Sequence, residues 1–489
     1  MLVFCSLFIP DVLAEPVFEH PHLSMHLQYL VHNSEPSEVA AGLHEHGWGT
    51  PLQPPIDSKP TKATDKSVRN AYVGDPESVE TDNFVIWYGN LGGFSAQNIE
   101  SLAVEMEHIW SVMIDEMGYP VPEESNQWKF NVYIGDTGEG LPSAEGNAGY
   151  FWYDTENYPM MVLSSDIVSW TDSAKLTGGH EFFHAVQASI DTYRFNDSAR
   201  WWHEATANWI LEELYRNEGG YSNTLYSVAL RPEIALHHWG DYATEGVEAD
   251  HHYGAFIFGT FLSEHRGGPD FIQRSFVEAP VNSNPLDVFE TLLQENGESL
   301  IDAHLEYALR NTTWDYEFES DYEMSVSDYA GGGDSHRSSG TISGISEDWY
   351  GPGDWAPHTF GTNAWSLTDL PSEFRIEFEG EQGIRWRVGI AQQDGTQHNR
   401  WVMPSNSDSW DILDFDAGDE AWLVVAAVDD YLDDGTTYNY EFRITDVVEE
   451  QKGGCTTGSS TYPKGVWWFV FVLFGVSTRR RGKQRKFLR

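Results

Sequence analysis

Apolar positions along this 489-residue chain change period several times. Phe84-Val85-Ile86-Trp87-Tyr88 is a short apolar run closed by Gly89-Asn90 and predicts a strand. From Ser95, a suitable N-cap, Ile99, Leu102, Met106, Ile109 and Met113 recur at helical spacing and predict an amphipathic helix over 95–117. A second strand follows at 129–134, and the runs 149–153 and 160–163 flank a turn at 155–158, which reads as a hairpin. Strand, helix, strand and hairpin lead into two helices, one containing 179–187 and one running from Arg200 to about Tyr215. Helical patterning continues through 251–262, 285–294 and 299–310. From about Tyr316 the period shortens to alternating segments at 374–378, 384–390, 410–413, 421–428 and 438–444, separated by Gly and Asp turns. The expected fold class is α+β: a mixed sheet above a functional helix and then a helical subdomain over 76–315, followed by an all-β sandwich over 316–448.

The ends read differently. Residues 1–14 resemble a secretory signal peptide, with an apolar stretch at 2–9 and Val12-Leu13-Ala14 as cleavage site, although no positive charge precedes it. Residues 15–75 are rich in Pro, His and Ser with little periodicity, as in a pro-segment or linker, and His44-Glu45-His46 in it could reach a metal. A polar linker at 449–464 carries Cys455. The tail at 465–489 joins a short apolar run to Arg479-Arg480-Arg481; the run is about half the roughly 20 residues a span needs, and its basic end marks a cytoplasmic side. Membrane association is expected only through this tail, and the protein is expected to be secreted or held at the cell surface, as a monomer.

Charge and cysteine usage narrow the chemistry. The chain carries 28 basic against 77 acidic residues, a formal net charge of −49, which excludes nucleic acid as a partner because phosphate contacts need Lys and Arg in excess. The two cysteines, Cys5 and Cys455, lie in the end segments, so the body has no disulfide, no thiolate nucleophile and no cysteine ligand. Any metal there must be held by His and carboxylate. Asp429, Asp430, Asp433 and Asp434 could bind Ca²⁺, but a solvated acidic turn is the preferred reading of them.

The candidate chemistry starts at His180-Glu181-Phe182-Phe183-His184, an H-E-x-x-H run. On a helix, positions i and i+4 share a face, so His180 and His184 aim both imidazoles at one point with Glu181 beside them. Two neutral imidazoles suit a Zn²⁺ ion, and the carboxylate stays free to accept a proton from water. Glu204 falls twenty positions after His184 on the next helix, among Trp201, Trp202, Ala205, Ala207, Trp209 and Ile210. A carboxylate in such surroundings needs a partner, and a metal is one. Glu204 is therefore the expected third ligand, with His203 as its rival; Ala205 and Ala207 leave room for a close helix crossing.

H-E-x-x-H followed at this interval by Glu on a second helix resembles the gluzincin metallopeptidases. The wording of 180–187 and 202–209 is most similar to secreted metalloproteases of myxobacteria and related bacteria. The resemblance covers about 80–310 and implies one catalytic zinc on His180, His184 and Glu204, Glu181 as general base and acid, and a protein or peptide substrate. It implies that Asn208 orients a ligand imidazole where thermolysin-like enzymes usually have Asp. It also implies a donor to the developing oxyanion near Gly254, for which Tyr253 and His251 are both candidates. The tail resembles the tripartite sorting tails of myxobacterial surface proteins. The alternative is a non-catalytic surface binding protein with a structural or vestigial zinc site, in which a fourth residue such as His203, His251 or His252 closes the coordination.

Overall fold

The apolar runs at 84–88 and 129–134 become the centre of a five-stranded sheet in the computed structural model, which describes residues 66–447 apart from 73–75, 145–146, 191, 194–195, 217–220, 241–244, 331–336, 406, 417, 419 and 429–434. The segment 1–14, most of 15–75 with His44-Glu45-His46, the acidic turn at Asp429, Asp430, Asp433 and Asp434, the linker with Cys455 and the tail at 465–489 lie outside the described residues. Strands β1 (Glu77–Glu80), β2 (Phe84–Tyr88), β3 (Phe130–Gly135), β4 (Gly149–Tyr153) and β5 (Pro159–Ser164) pair in the order β1-β2-β3-β5-β4. β2, β3 and β5 run parallel, and every residue of β3 and β5 is buried, as continuous apolar runs require. β4 turns back antiparallel to β5, forms the edge, and alternates buried with half-buried residues.

Helix α1 (Ala96–Trp110) starts where its sequence says it should. Ser95 and Asn98 form a reciprocal capping box, and a π-helical turn at Ser111–Glu116 carries it towards Met117. Helix α2 (Thr171–Ala188) lies between the sheet, α1 and helix α3 (Arg200–Leu214), and from Thr177 to Ala188 every residue is buried. Phe182 anchors α2 to the sheet by edge-on contacts with Phe84 and Phe130. Gly179 sets the approach of α3: a Cβ there would stand 2.9 Å from Leu211 Cδ2 and 3.0 Å from Leu214 Cδ1. Helices α4 (His251–Gly254) and α5 (Phe256–Leu262) cover the other side of α3.

The β pattern expected from 316 begins later, because Glu319–Tyr329 forms a helix. Phe318, Tyr322 and Val326 recur every four residues, and Tyr322 and Val326 are buried against the helical body. Beyond 340, nine further strands follow: β6 (Gly340–Ser343), β7 (Ser346–Tyr350), β8 (Thr362–Thr368), β9 (Phe374–Gly380), β10 (Arg385–Asp394), β11 (Gln397–Val402), β12 (Ser409–Ile412), β13 (Glu420–Val428) and β14 (Tyr440–Thr445). The sheets β11-β10-β13-β8-β6 and β12-β9-β14-β7 enclose one apolar core that includes Trp365, Ile390 and Leu423 from the first and Ile376, Phe442 and Ile444 from the second. Helix Leu300–Asn311 joins this pair of sheets to the helical body, as Leu305, Ala308 and Leu309 pack on Ala364, Ala391, Val424 and Ala426. The architecture is α+β, and the described residues belong to one compact unit.

Glu212, near the end of α3, is buried and accepts hydrogen bonds from Thr260 Oγ1 of α5 and, at 2.9 Å, from the hydroxyl of Tyr322. Burial pushes its carboxyl up to about 8 from an ordinary 4.5, so it is neutral in the folded chain at neutral pH. Between those values the unfolded chain binds fewer protons than the folded one, so stability falls as pH rises from about 4.5 to about 8. Glu212→Gln keeps a carbonyl acceptor but has no titrating proton and should flatten that slope, as measured by denaturant unfolding across the window; an unchanged slope would remove Glu212 as its source.

Candidate metal centre

Two helices build the site. On α2, His180 and His184 stand one turn apart; on α3, Glu204 faces them from one turn after the start. All three are buried. Nε2 of His180 lies 3.0 Å from Nε2 of His184, and Glu204 Oε2 lies 3.1 Å from the first and 3.3 Å from the second. The three atoms form a nearly equilateral triangle. Its edges are close to the roughly 3.3 Å that ligands at about 2.0–2.1 Å from a tetrahedral ion would show. This group can hold a metal ion, and among the described residues no fourth His, Cys, Asp or Glu joins it.

Hydrogen bonds at the far side of each imidazole decide what those atoms are. Asn208 Oδ1 lies 2.9 Å from His180 Nδ1, and the Asn208 amide nitrogen donates to the Tyr253 carbonyl and to Thr224 Oγ1, both at 3.4 Å. Gln187 Oε1 lies 2.7 Å from His184 Nδ1, while its amide nitrogen donates to the His203 carbonyl and to Thr206 Oγ1, both at 2.9 Å. A backbone carbonyl only accepts, so each amide must present nitrogen to it and oxygen to the imidazole. Each Nδ1 therefore donates, and each Nε2 is left to face the cluster as a bare lone pair. Three acceptors within 3.3 Å of one another repel unless a cation lies among them.

Electrostatics state the same demand for charge. Burial alone would raise the Glu204 carboxyl and lower the His184 imidazole. The paired charges outweigh it: the two imidazoles hold Glu204 well below the usual carboxylate range, and Glu204 holds His184 up to about 9. A proton and a metal ion thus compete for one place, and metal binding should release a proton.

Glu181, fully buried, lies within electrostatic reach of all three ligands but stays outside their cluster. Neither of its oxygens has a hydrogen-bond partner of ordinary geometry, and burial raises its carboxyl, with the imidazoles of His180 and His184 and, less, the nearby Phe151 backbone of β4 offsetting part of this.

The other expected site residues separate. Asn208 stands where expected, on His180. The buried Tyr253 ring lies 6.1 Å from the His180 ring. His251 does not reach the cluster: its ring lies 6.0 Å from His238, and it lines a cavity with His304, Tyr307 and Phe360. Two positions on the turn of a four-residue helix point about 160° apart, so Tyr253 and His251 could not both face α2. His203 contributes its backbone carbonyl to Gln187, while its ring stacks on Phe276 at 6.2 Å. Gln187 had no role assigned from the sequence, and its signal was a polar residue three positions after His184 in an otherwise apolar turn. Asn208→Ala or Gln187→Ala should each weaken divalent-metal binding by about 10–100-fold in a competition titration with a chromophoric chelator. Unchanged affinity in both would show that these amides do not order the ligands.

Residues 56–410 match the family model DUF6055, described as a family of unknown function. No curated protein matches the chain.

Proposed function

We propose that this chain, which belongs to the DUF6055 family, is a zinc-dependent peptidase with a zincin-like catalytic body, exported from the cell. One observation carries the reading: a buried His180–His184–Glu204 cluster stands beside a second buried carboxylate, Glu181, that is not part of it. Two imidazoles and one carboxylate make a donor set suited to zinc, and the lack of a fourth ligand among the described residues favours an open position over a closed structural site. Bound there, zinc supplies Lewis acidity and lowers the pKa of water towards about 7.

The chain's own residues divide the remaining work. Asn208 and Gln187 hold the imidazoles in one tautomer and one orientation. Glu181, its carboxyl raised by burial, accepts the proton of the attacking water and returns it to the leaving amine. Tyr253, beside His180, is the better placed candidate to donate to the developing oxyanion. β4 is an edge strand next to Glu181, so an extended peptide can pair with it and cross the cluster.

Glu181→Gln should bind zinc as the wild type does and lose about 10²–10⁴-fold in kcat on a casein or peptide-library digest. Full activity in that variant would overturn the mechanism. A zinc-loaded wild type that cleaves nothing would instead favour a binding protein.

A further inference from the structure

Arg200 opens α3 one turn before Glu204, so the two side chains share a helix face. Its guanidinium stacks over Trp239 at 4.1 Å from the ring centroid. Trp239 stacks in turn on His252 at 4.2 Å, the His252 ring lies 4.3 Å from Tyr253, and Tyr253 lies 6.1 Å from His180. A continuous row of rings therefore runs from this guanidinium to the metal cluster, and Arg200 and Glu204 feel each other electrostatically.

Arg200 Nη2 is buried and has no hydrogen-bond partner. That is unusual in a chain with 77 acidic and 28 basic residues. Arg69, Arg216, Arg266, Arg310 and Arg400 each hold a carboxylate. Asp197, one turn earlier, favours the charge of Arg200 but forms no ion pair with it. A guanidinium with one face covered by an indole keeps its N–H edge for planar, two-point recognition of a carboxylate. A buried N–H without a partner is costly to leave so, and a ligand can relieve it.

We propose that Arg200 is a substrate-carboxylate subsite. It takes a carboxylate of the peptide, either the C-terminal group or an Asp or Glu side chain, and thereby sets which peptide bond lies over the metal cluster. This rests on the peptidase reading. The test uses the zinc-loaded full chain and matched peptides: free C-terminus against C-terminal amide, and Glu against Gln at each position. The wild type should favour the carboxylate-bearing member of one pair by roughly 10–100-fold in kcat/KM. Loss of preference on amidation assigns the terminal group, and loss on Glu-to-Gln exchange assigns the side chain.

Arg200→Gln should bring that ratio close to one, and Arg200→Lys, which keeps the charge without the fork, should retain part of it; melting curves and metal content check the fold, and the Lys variant decides if the Gln variant does not fold. A wild type without preference, or a ratio unchanged in the folded variant, overturns the subsite while leaving cleavage intact. Calorimetric binding of the same peptides to Glu181→Gln separates the two claims. An Arg200-dependent carboxylate preference there, with no cleavage by the wild type, would uphold the subsite and sink the peptidase reading.

Discussion

Three atoms bearing lone pairs meet in the interior of this protein around a place that a proton or a metal ion must fill. Nε2 of His180, Nε2 of His184 and an oxygen of Glu204 lie 3.0–3.3 Å apart, all buried. Water cannot relieve such a cluster once it is buried, so it is stable only around a positive charge. The surroundings maintain this condition. Asn208 and Gln187 accept hydrogen bonds from the two Nδ1–H groups, and their own orientations are locked by the backbone carbonyls of Tyr253 and His203. The chain thus spends two amides and two carbonyls to keep the imidazole lone pairs directed at one point.

Such alignment needs a rigid frame, and the packing supplies it. α2 is buried along its whole second half, pinned to the sheet through Phe182 and approached by α3 at Gly179. Gly179 lets α3 close on α2, while Trp201, Trp202 and Trp209 of α3 are fully buried around the crossing. Glu212 ties the far end of α3 to Thr260 and Tyr322, so ligand-bearing α3 is held by polar bonds at both ends.

Around this frame, two charge-bearing side chains beside the cluster, Glu181 and Arg200, are among the groups left without the bonds they ordinarily make. Glu181 has two unsatisfied oxygens beside the cluster, and Arg200 has an unsatisfied N–H one turn from Glu204. Buried groups of this kind are expected where a ligand completes them. A proton acceptor and an anion receptor flanking a cation-demanding cluster suit the proposed hydrolysis of a peptide that carries its own carboxylate.

Local pattern alone determined much of this. Helical spacing placed His180 and His184 on one face, the apolar neighbours of Glu204 announced its burial, Ser95 marked the start of α1, and the runs at 84–88 and 129–134 read as strands because those signals lie within a few residues of one another. Helix Glu319–Tyr329 was equally local, in the four-residue recurrence of Phe318, Tyr322 and Val326, but Gly-rich loops after it made the segment look β. Other features depended on contacts between distant segments. The edge position of β4, the amide of Gln187 reaching His184 while anchored to the next helix, the choice of Tyr253 over His251 to face His180 and the stack from Arg200 through Trp239 to His252 all follow from how elements cross. The sequence determined which side chains could bind a metal; only the tertiary structure decided which atoms meet, because helix crossing and sheet order are set by the packing of the whole core.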